Sequence, residues 1–193
     1  MMLNKEIIIN TNEEYDKFKK KLWLYRSWLY CFVSFKISGE VRQKELKDFE
    51  TALNIKNDRK RTRFIYDRAC KFIDEYNEEH CICCAYHDSI CEDPKHQKMK
   101  NGCCWYCHLQ TETGCPSRNL ACKLFFCDHM WEKHHPLTAK DIDILLMFSP
   151  SRRAIARENT FVTEETFLRQ LDIGSYGLMC IYSITKLFRF RNL

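Results

Sequence analysis

Between Asn101 and Cys127 the chain reads NGCCWYCHLQTETGCPSRNLACKLFFC, with thiols at Cys103, Cys104, Cys107, Cys115, Cys122 and Cys127. Just upstream lie Cys81, Cys83, Cys84 and Cys91. Two of the spacings are Cys-x-x-Cys, at Cys81-Ile-Cys-Cys84 and at Cys104-Trp-Tyr-Cys107. Such a turn aims two sulfurs at one ion, and tetrahedral zinc takes four ligands. Two of these turns, with further cysteines between and after them, point to metal, and all ten residues are candidate ligands. Thiolate-rich ligation makes zinc the first choice. An iron–sulfur cluster is the alternative, because four cysteines serve it equally well. The bacterial ferredoxin run is absent. A Cys-x-x-x-Cys-x-x-Cys arrangement begins at Cys103 and Cys107 but meets Gln110 at its third position.

Cys122 and Cys127 are five apart, which puts them on opposite faces of a strand and about 140° apart around an α-helix. Cys122 is therefore expected in a loop or at a helix entry, or the two cysteines serve different ions. His80, His87, His96, His108 and His129 lie among the thiols. Each reads as a solvated residue, or one hydrogen-bonded to a ligand, ahead of a ligand itself. Cys31, Cys70 and Cys180 stand alone on helical patterns and read as small apolar filler.

The rest of the composition narrows the setting. Of 193 residues 45% are apolar, with thirteen Phe to build a core and only five Gly and four Pro. Scarce turn formers argue against an all-β design. The beginning, MMLNKEIIINTNEEYDKFKK, lacks a basic head followed by an apolar run, so a cytoplasmic protein is the expectation. In that compartment thiols stay reduced, which favours metal over disulfides. Leu22–Ile37 is the most apolar stretch; it is short for a membrane crossing and contains Arg26, so no membrane role is read. The formal charge is +5 with cysteines counted neutral. Eight thiolates on two divalent ions would leave about +1, so basicity is no pointer to a polyanion. The Arg59-Lys60-Arg61 and Arg152-Arg153 clusters are interspersed with acids and read as solvated helix faces ahead of a nucleic-acid surface. No phosphate loop, dinucleotide glycine motif or serine nucleophile elbow is present, and no complete catalytic set is visible.

Around the thiols the pattern is helical. Residues 1–79 form an N-terminal helical region, 80–131 the cysteine-rich module, and 132–193 a C-terminal helical region, packing as one unit. Thr11 with Glu14 three residues on signals a helix start. Phe18, Leu22, Tyr25, Leu29 and Phe32 then recur at helical spacing. Val41, Leu46, Phe49 and Leu53 predict a second helix after Ser38-Gly39. Phe64 to Tyr76 predict a third, ending at Asn77-Glu78-Glu79. Downstream, Thr138 is read as a cap before Ile142, Leu145 and Leu146, Ser149-Pro150 as a start, and Thr163 as the cap of a helix packing through Phe167, Leu168 and Leu171. Gly174 and Gly177 interrupt that helix before a last segment, Leu178 to Phe190. No stretch sustains a two-residue alternation. The fold class read from these signals is mainly α, a helical framework flanking an irregular cysteine-rich metal-binding insert.

The order Cys81-x-Cys83-Cys84, Cys107-His-Leu, Gly114-Cys115 and Cys122-Lys-Leu-Phe-Phe-Cys127 resembles the zinc- or iron-chelating cysteine-cluster family of bacterial proteins. The resemblance covers about residues 80–130. Asn119-Leu120-Ala121 stands where that family usually has an Arg-Pro before the penultimate cysteine. The resemblance implies a cytoplasmic metal- or cluster-binding module; some relatives of the family are linked to flagellin lysine methylation. Three functions are consistent with the residues: a zinc-stabilised binding or accessory module with a protein partner, an iron–sulfur redox or methyl-transfer enzyme, and a nucleic-acid-binding zinc protein. The first is the reading preferred.

Overall fold

The computed structural model describes residues 3–27, 30, 32–80, 119–126, 131, 136–160 and 162–173. Its chain divides into two units, Met1–Ala69 with Ile142–Ser149, and Cys70–Asp141 with Pro150–Leu193. Mainly helical character is observed, together with a small sheet that the sequence pattern does not announce.

In the first unit, strand β1 (Leu3–Ile8) leads into helix α1 (Asn12–Tyr25) and then strand β2 (Val33–Ser38). The strands are parallel, in register from Leu3 opposite Val33 to Ile8 opposite Ser38. Parallel strands need a crossover, and α1 supplies it. The helix starts where expected: the Thr11 hydroxyl accepts from the Glu14 N–H at 3.2 Å, and the Glu14 carboxylate accepts from the N–H groups of Thr11 and Asn10. Tyr15, Phe18 and Leu22 form its buried stripe.

The expected continuation of that helix through Leu29 and Phe32 is not what forms. α1 ends at Tyr25, capped by Arg26, Phe32 is exposed, and Leu29 lies outside the described residues. Two long-range features oppose further helix. The Arg26 guanidinium donates to the carbonyls of Leu146 and Phe148 at 3.0 and 2.6 Å. Val33, Phe35 and Ile37 are buried while Ser34, Lys36 and Ser38 are not, a two-residue alternation that the helical spacing just before it disguises.

Helix α2 (Gln43–Asn54) comes next, buried through Leu46, Phe49, Ala52 and Leu53. Phe49 meets Phe18 edge-on, centroids 5.4 Å apart. Between β2 and α2, Gly39 passes so close to the end of β1 that an added Cβ would sit 1.7 Å from the Ile9 carbonyl oxygen. Helix α3 (Asp58–Glu79) ends where predicted, and Arg68 on it pairs with Asp48 of α2 at 2.8 Å.

The segment after Thr138 departs from its prediction. Thr138 and Asp141 close a tight turn on each other, the Asp141 carboxylate accepting from the Thr138 N–H at 2.8 Å. The chain then enters a 3-10 turn, Asp143–Met147, without a side-chain cap. This turn completes the core of the first unit with Ile144, Leu145, Met147 and Phe148. Asp143 accepts from the Tyr15 hydroxyl at 2.9 Å and lies 3.4 Å from the Lys19 ammonium.

The second unit holds the end of α3, a short helix α4 (Leu120–Lys123), α5 (Pro150–Glu158) and α6 (Glu164–Ile173). Pro150 at the first turn of α5 and Thr163 before α6 act as predicted; the Thr163 hydroxyl accepts from the Thr166 N–H. α4 packs on α5, and α5 on α6, and Leu120, Ala121, Ala156, Phe167 and Leu171 of these helices are buried. Arg152, read from the sequence as part of a solvated face, is instead buried and donates from Nε to the Leu171 carbonyl at 2.8 Å. Residues 174–193, with the predicted last segment, lie outside the described residues.

Candidate metal centre

The cysteine-rich stretch leaves α3 and returns at α4, and both flanks belong to the second unit. On the leaving side, the His80 N–H donates to the Tyr76 carbonyl at 3.0 Å, continuing the helical bonding past Glu79. The His80 ring stacks on Tyr76, centroids 4.1 Å apart, with Nδ1 2.8 Å from the same carbonyl. This histidine is therefore folded back onto its own helix, one residue before Cys81. Asn77, one turn earlier, is fully buried.

On the returning side, Asn119 is fully buried and caps α4. Its Oδ1 accepts from the Cys122 N–H at 2.9 Å, and its Nδ2 donates to the Val162 carbonyl at 2.8 Å. Cys122 thus sits in a helical turn whose start is fixed from both sides. That agrees with the helix-entry position expected from its spacing to Cys127. The Phe125 N–H donates back to the Cys122 carbonyl at 3.1 Å, closing the turn.

A charge pair joins the flanks. The Lys123 ammonium donates to the Asp74 carboxylate across 49 residues of sequence. Asp74 is seven residues before Cys81, and Lys123 is the residue after Cys122. His80 is six residues past Asp74, about 9 Å of helical rise. The scaffold therefore brings the departure and return of the cysteine-rich stretch to one region. Lys123 retains only 15% of its side-chain exposure, so this pair is screened less than a surface one.

Of the ten candidate ligands, Cys122 lies among the described residues and is half-buried. Cys81, Cys83, Cys84, Cys91, Cys103, Cys104, Cys107, Cys115 and Cys127 lie outside them, as do His87, His96, His108 and His129. Among the described residues no three His, Cys, Asp or Glu side chains gather as a metal site. Fit to a metal is therefore judged on donor chemistry: Cys-x-x-Cys turns and a cysteine on a capped turn suit a soft, tetrahedral ion. Cys70, read as core filler, is half-buried on α3, and Cys31 and Cys180 lie outside the described residues.

Sequence reasoning missed Asn119, Asp74 and Lys123. Asn119 had a usable signal, a cap-forming residue just before apolar Leu120 and Ala121. Asp74 and Lys123 had none, being ordinary charges far apart in the chain. Among the described residues no helix is long and apolar enough to cross a membrane. No protein-family model matches the chain, and no curated protein or solved structure matches it.

Proposed function

We propose that this chain is a zinc-binding cysteine-cluster protein that serves as a binding or accessory module for another protein in a reducing compartment. The ligands are drawn from Cys81, Cys83, Cys84, Cys91, Cys103, Cys104, Cys107, Cys115, Cys122 and Cys127. In this reading the chain belongs with the zinc- or iron-chelating cysteine-cluster proteins that residues 80–130, about a quarter of it, resemble. The observation that carries the proposal is the junction at the two flanks. Asn119 fixes the turn bearing Cys122, and Lys123 ties that turn to Asp74, seven residues before Cys81. A framework that holds both ends of a thiol-rich loop lowers the closure entropy that metal binding must overcome.

Zinc bound there would supply folding free energy on the order of 10 kcal/mol, with each ligating thiol deprotonated. The chain's own residues would position the sulfurs and, through the buried cap, exclude water from the turn. Elemental analysis of protein purified without oxygen tests this. Stoichiometric zinc in a colourless sample is expected, with loss of protease resistance in the 81–118 region on chelation while helical circular dichroism largely persists. A brown sample containing iron would replace zinc by a cluster. A metal-free protein with unchanged protease resistance would overturn the proposal.

A further inference from the structure

The two edges of the small sheet are treated differently. Along β2, the outward backbone groups are occupied by side chains from α2 and the residues just after it. The Phe35 N–H donates to Asn54 Oδ1 and the Phe35 carbonyl accepts from Asn54 Nδ2, both at 2.8 Å. The Ile37 N–H donates to the Glu50 carboxylate at 2.6 Å, and the Val33 carbonyl accepts from the Lys56 ammonium. These side chains take the place of a third strand.

Along β1 nothing equivalent occurs among the described residues. The Leu3 N–H donates to Phe32 and the Ile9 N–H to Ser38, so the odd-numbered residues face β2. The N–H and carbonyl groups of Asn4, Glu6 and Ile8 therefore face away, and they have no partner among the described residues. Leu3 and Ile8 are 67% and 60% exposed beside them. A bare strand edge of this kind is a template for another strand.

We propose that β1 is a dimerisation strand, pairing antiparallel with β1 of a second copy about a two-fold axis at Lys5. Matching of side chains selects this occupant and this register. With the axis at Lys5, Asn4 and Glu6 exchange backbone hydrogen bonds with the partner's Glu6 and the partner's Asn4. Their side chains then meet on the polar face, and Leu3 meets the partner's Ile7 on the other face. An axis at Glu6 would oppose Asn4 to the partner's Ile8 and bring together two carboxylates, each already paired with Lys36 of its own copy at 3.2 Å. An axis at Ile7 would oppose Glu6 to the partner's Ile8 and Lys5 to the partner's Ile9. The two Lys5 ammonium groups do not meet at the chosen axis. Each lies over the Tyr25 and Tyr30 rings of its own copy, 5.6 and 5.7 Å from their centroids, and both rings pack on Phe35 of β2. The product is a four-stranded sheet with β1 strands at its centre. Both outer edges are then β2 edges, already closed by Glu50, Asn54 and Lys56. One open and one closed edge per copy thus gives a finished pair, not a fibre.

Sedimentation equilibrium of the full chain under reducing conditions tests this. A reversible monomer–dimer equilibrium is expected in the micromolar range. Glu6→Pro removes an N–H that the monomer does not use and, besides that, only an exposed ion pair with Lys36, so it is expected to give a monomer with unchanged circular dichroism. Asn4→Lys faces the partner's Glu6 twice per dimer and is expected to tighten the dimer. Asn4→Glu is expected to weaken it by roughly two- to thirty-fold. A wild type that stays monomeric at every concentration overturns the proposal, even if it captures a foreign strand-forming peptide. So does a dimer indifferent to Glu6→Pro, or one that Asn4→Lys and Asn4→Glu shift in the same direction. If Glu6→Pro unfolds, the opposed Asn4 variants decide alone.

Discussion

Replacing Asn119 by Ala tests the link between scaffold and metal most directly. The side chain is fully buried and makes two hydrogen bonds, to the Cys122 N–H and the Val162 carbonyl. Loss of a helix cap costs about 1 kcal/mol. A buried N–H or carbonyl left without a partner costs about 1–3 kcal/mol. The two bonds together suggest a loss of about 2–4 kcal/mol, a large share of a typical total of about 5–15 kcal/mol. Urea unfolding at fixed free zinc would measure it. Asn119→Ser keeps a capping oxygen but is too short to reach Val162, so it should recover about half of the loss. Because the turn carries Cys122, zinc affinity by competition with a chelator should also fall, by about 10- to 100-fold. An Ala variant within about 0.5 kcal/mol of wild type would refute the assigned cap. An Ala variant that loses stability but keeps its zinc affinity would remove Cys122 from the ligands.

Gly39→Ala places a methyl 1.7 Å from the Ile9 carbonyl oxygen, so the backbone beside the Ile9 to Ser38 hydrogen bond must shift; a loss of about 3 kcal/mol or more is expected in urea unfolding. The Asn10 and Thr11 N–H groups hold the Glu14 carboxyl below its ordinary range. Its contribution is present above the unfolded value of about 4.3 and is lost as pH falls through the lowered folded value, so Glu14→Gln should flatten the acid limb of a stability–pH profile. Tyr15 behaves oppositely: burial, and then the Asp143 carboxylate, push its phenol far up. Its contribution is complete below about pH 10, where the unfolded chain ionises, and declines above it; Tyr15→Phe should abolish that alkaline slope. A double-mutant cycle of Asp74→Asn and Lys123→Ala should give a coupling of about 1 kcal/mol, and a value near zero would mean the flanks are not joined there.

Local signals sufficed where apolar spacing is unambiguous, with or without a cap. α2 has no side-chain cap but shows Leu46, Phe49 and Leu53 at one spacing, and α6 shows Thr163 followed by Phe167, Leu168 and Leu171. Between Tyr25 and Ser38 two periods compete, because Tyr25, Leu29 and Phe32 fit 3.6 residues per turn while Val33, Phe35 and Ile37 fit two. The contest is settled outside that stretch. Glu50, Asn54 and Lys56 fill the backbone edge of β2 from 13 to 23 residues away, and Arg26 is held by carbonyls 120 and 122 residues away. A helix through Val33–Ser38 would leave those side chains without their partners, so the strand prevails despite the helical spacing of its approach.

The cysteines show the complementary case. A Cys-x-x-Cys turn is a local device, so its chemistry is readable from four residues. The junction that presents Cys122 is not. Its cap, Asn119, is readable from the residues beside it, but the cap's second bond goes to Val162, and Lys123 reaches Asp74 across most of the thiol-rich stretch. An exposed ion pair of that kind would contribute little. This one is different because Lys123 is mostly covered and lies beside a turn already fixed by a buried amide. The pair and the cap therefore act on the same few residues. If so, Asn119→Ala should also weaken the Asp74–Lys123 coupling, whereas a coupling unchanged in the Ala background would mean that the two devices work separately.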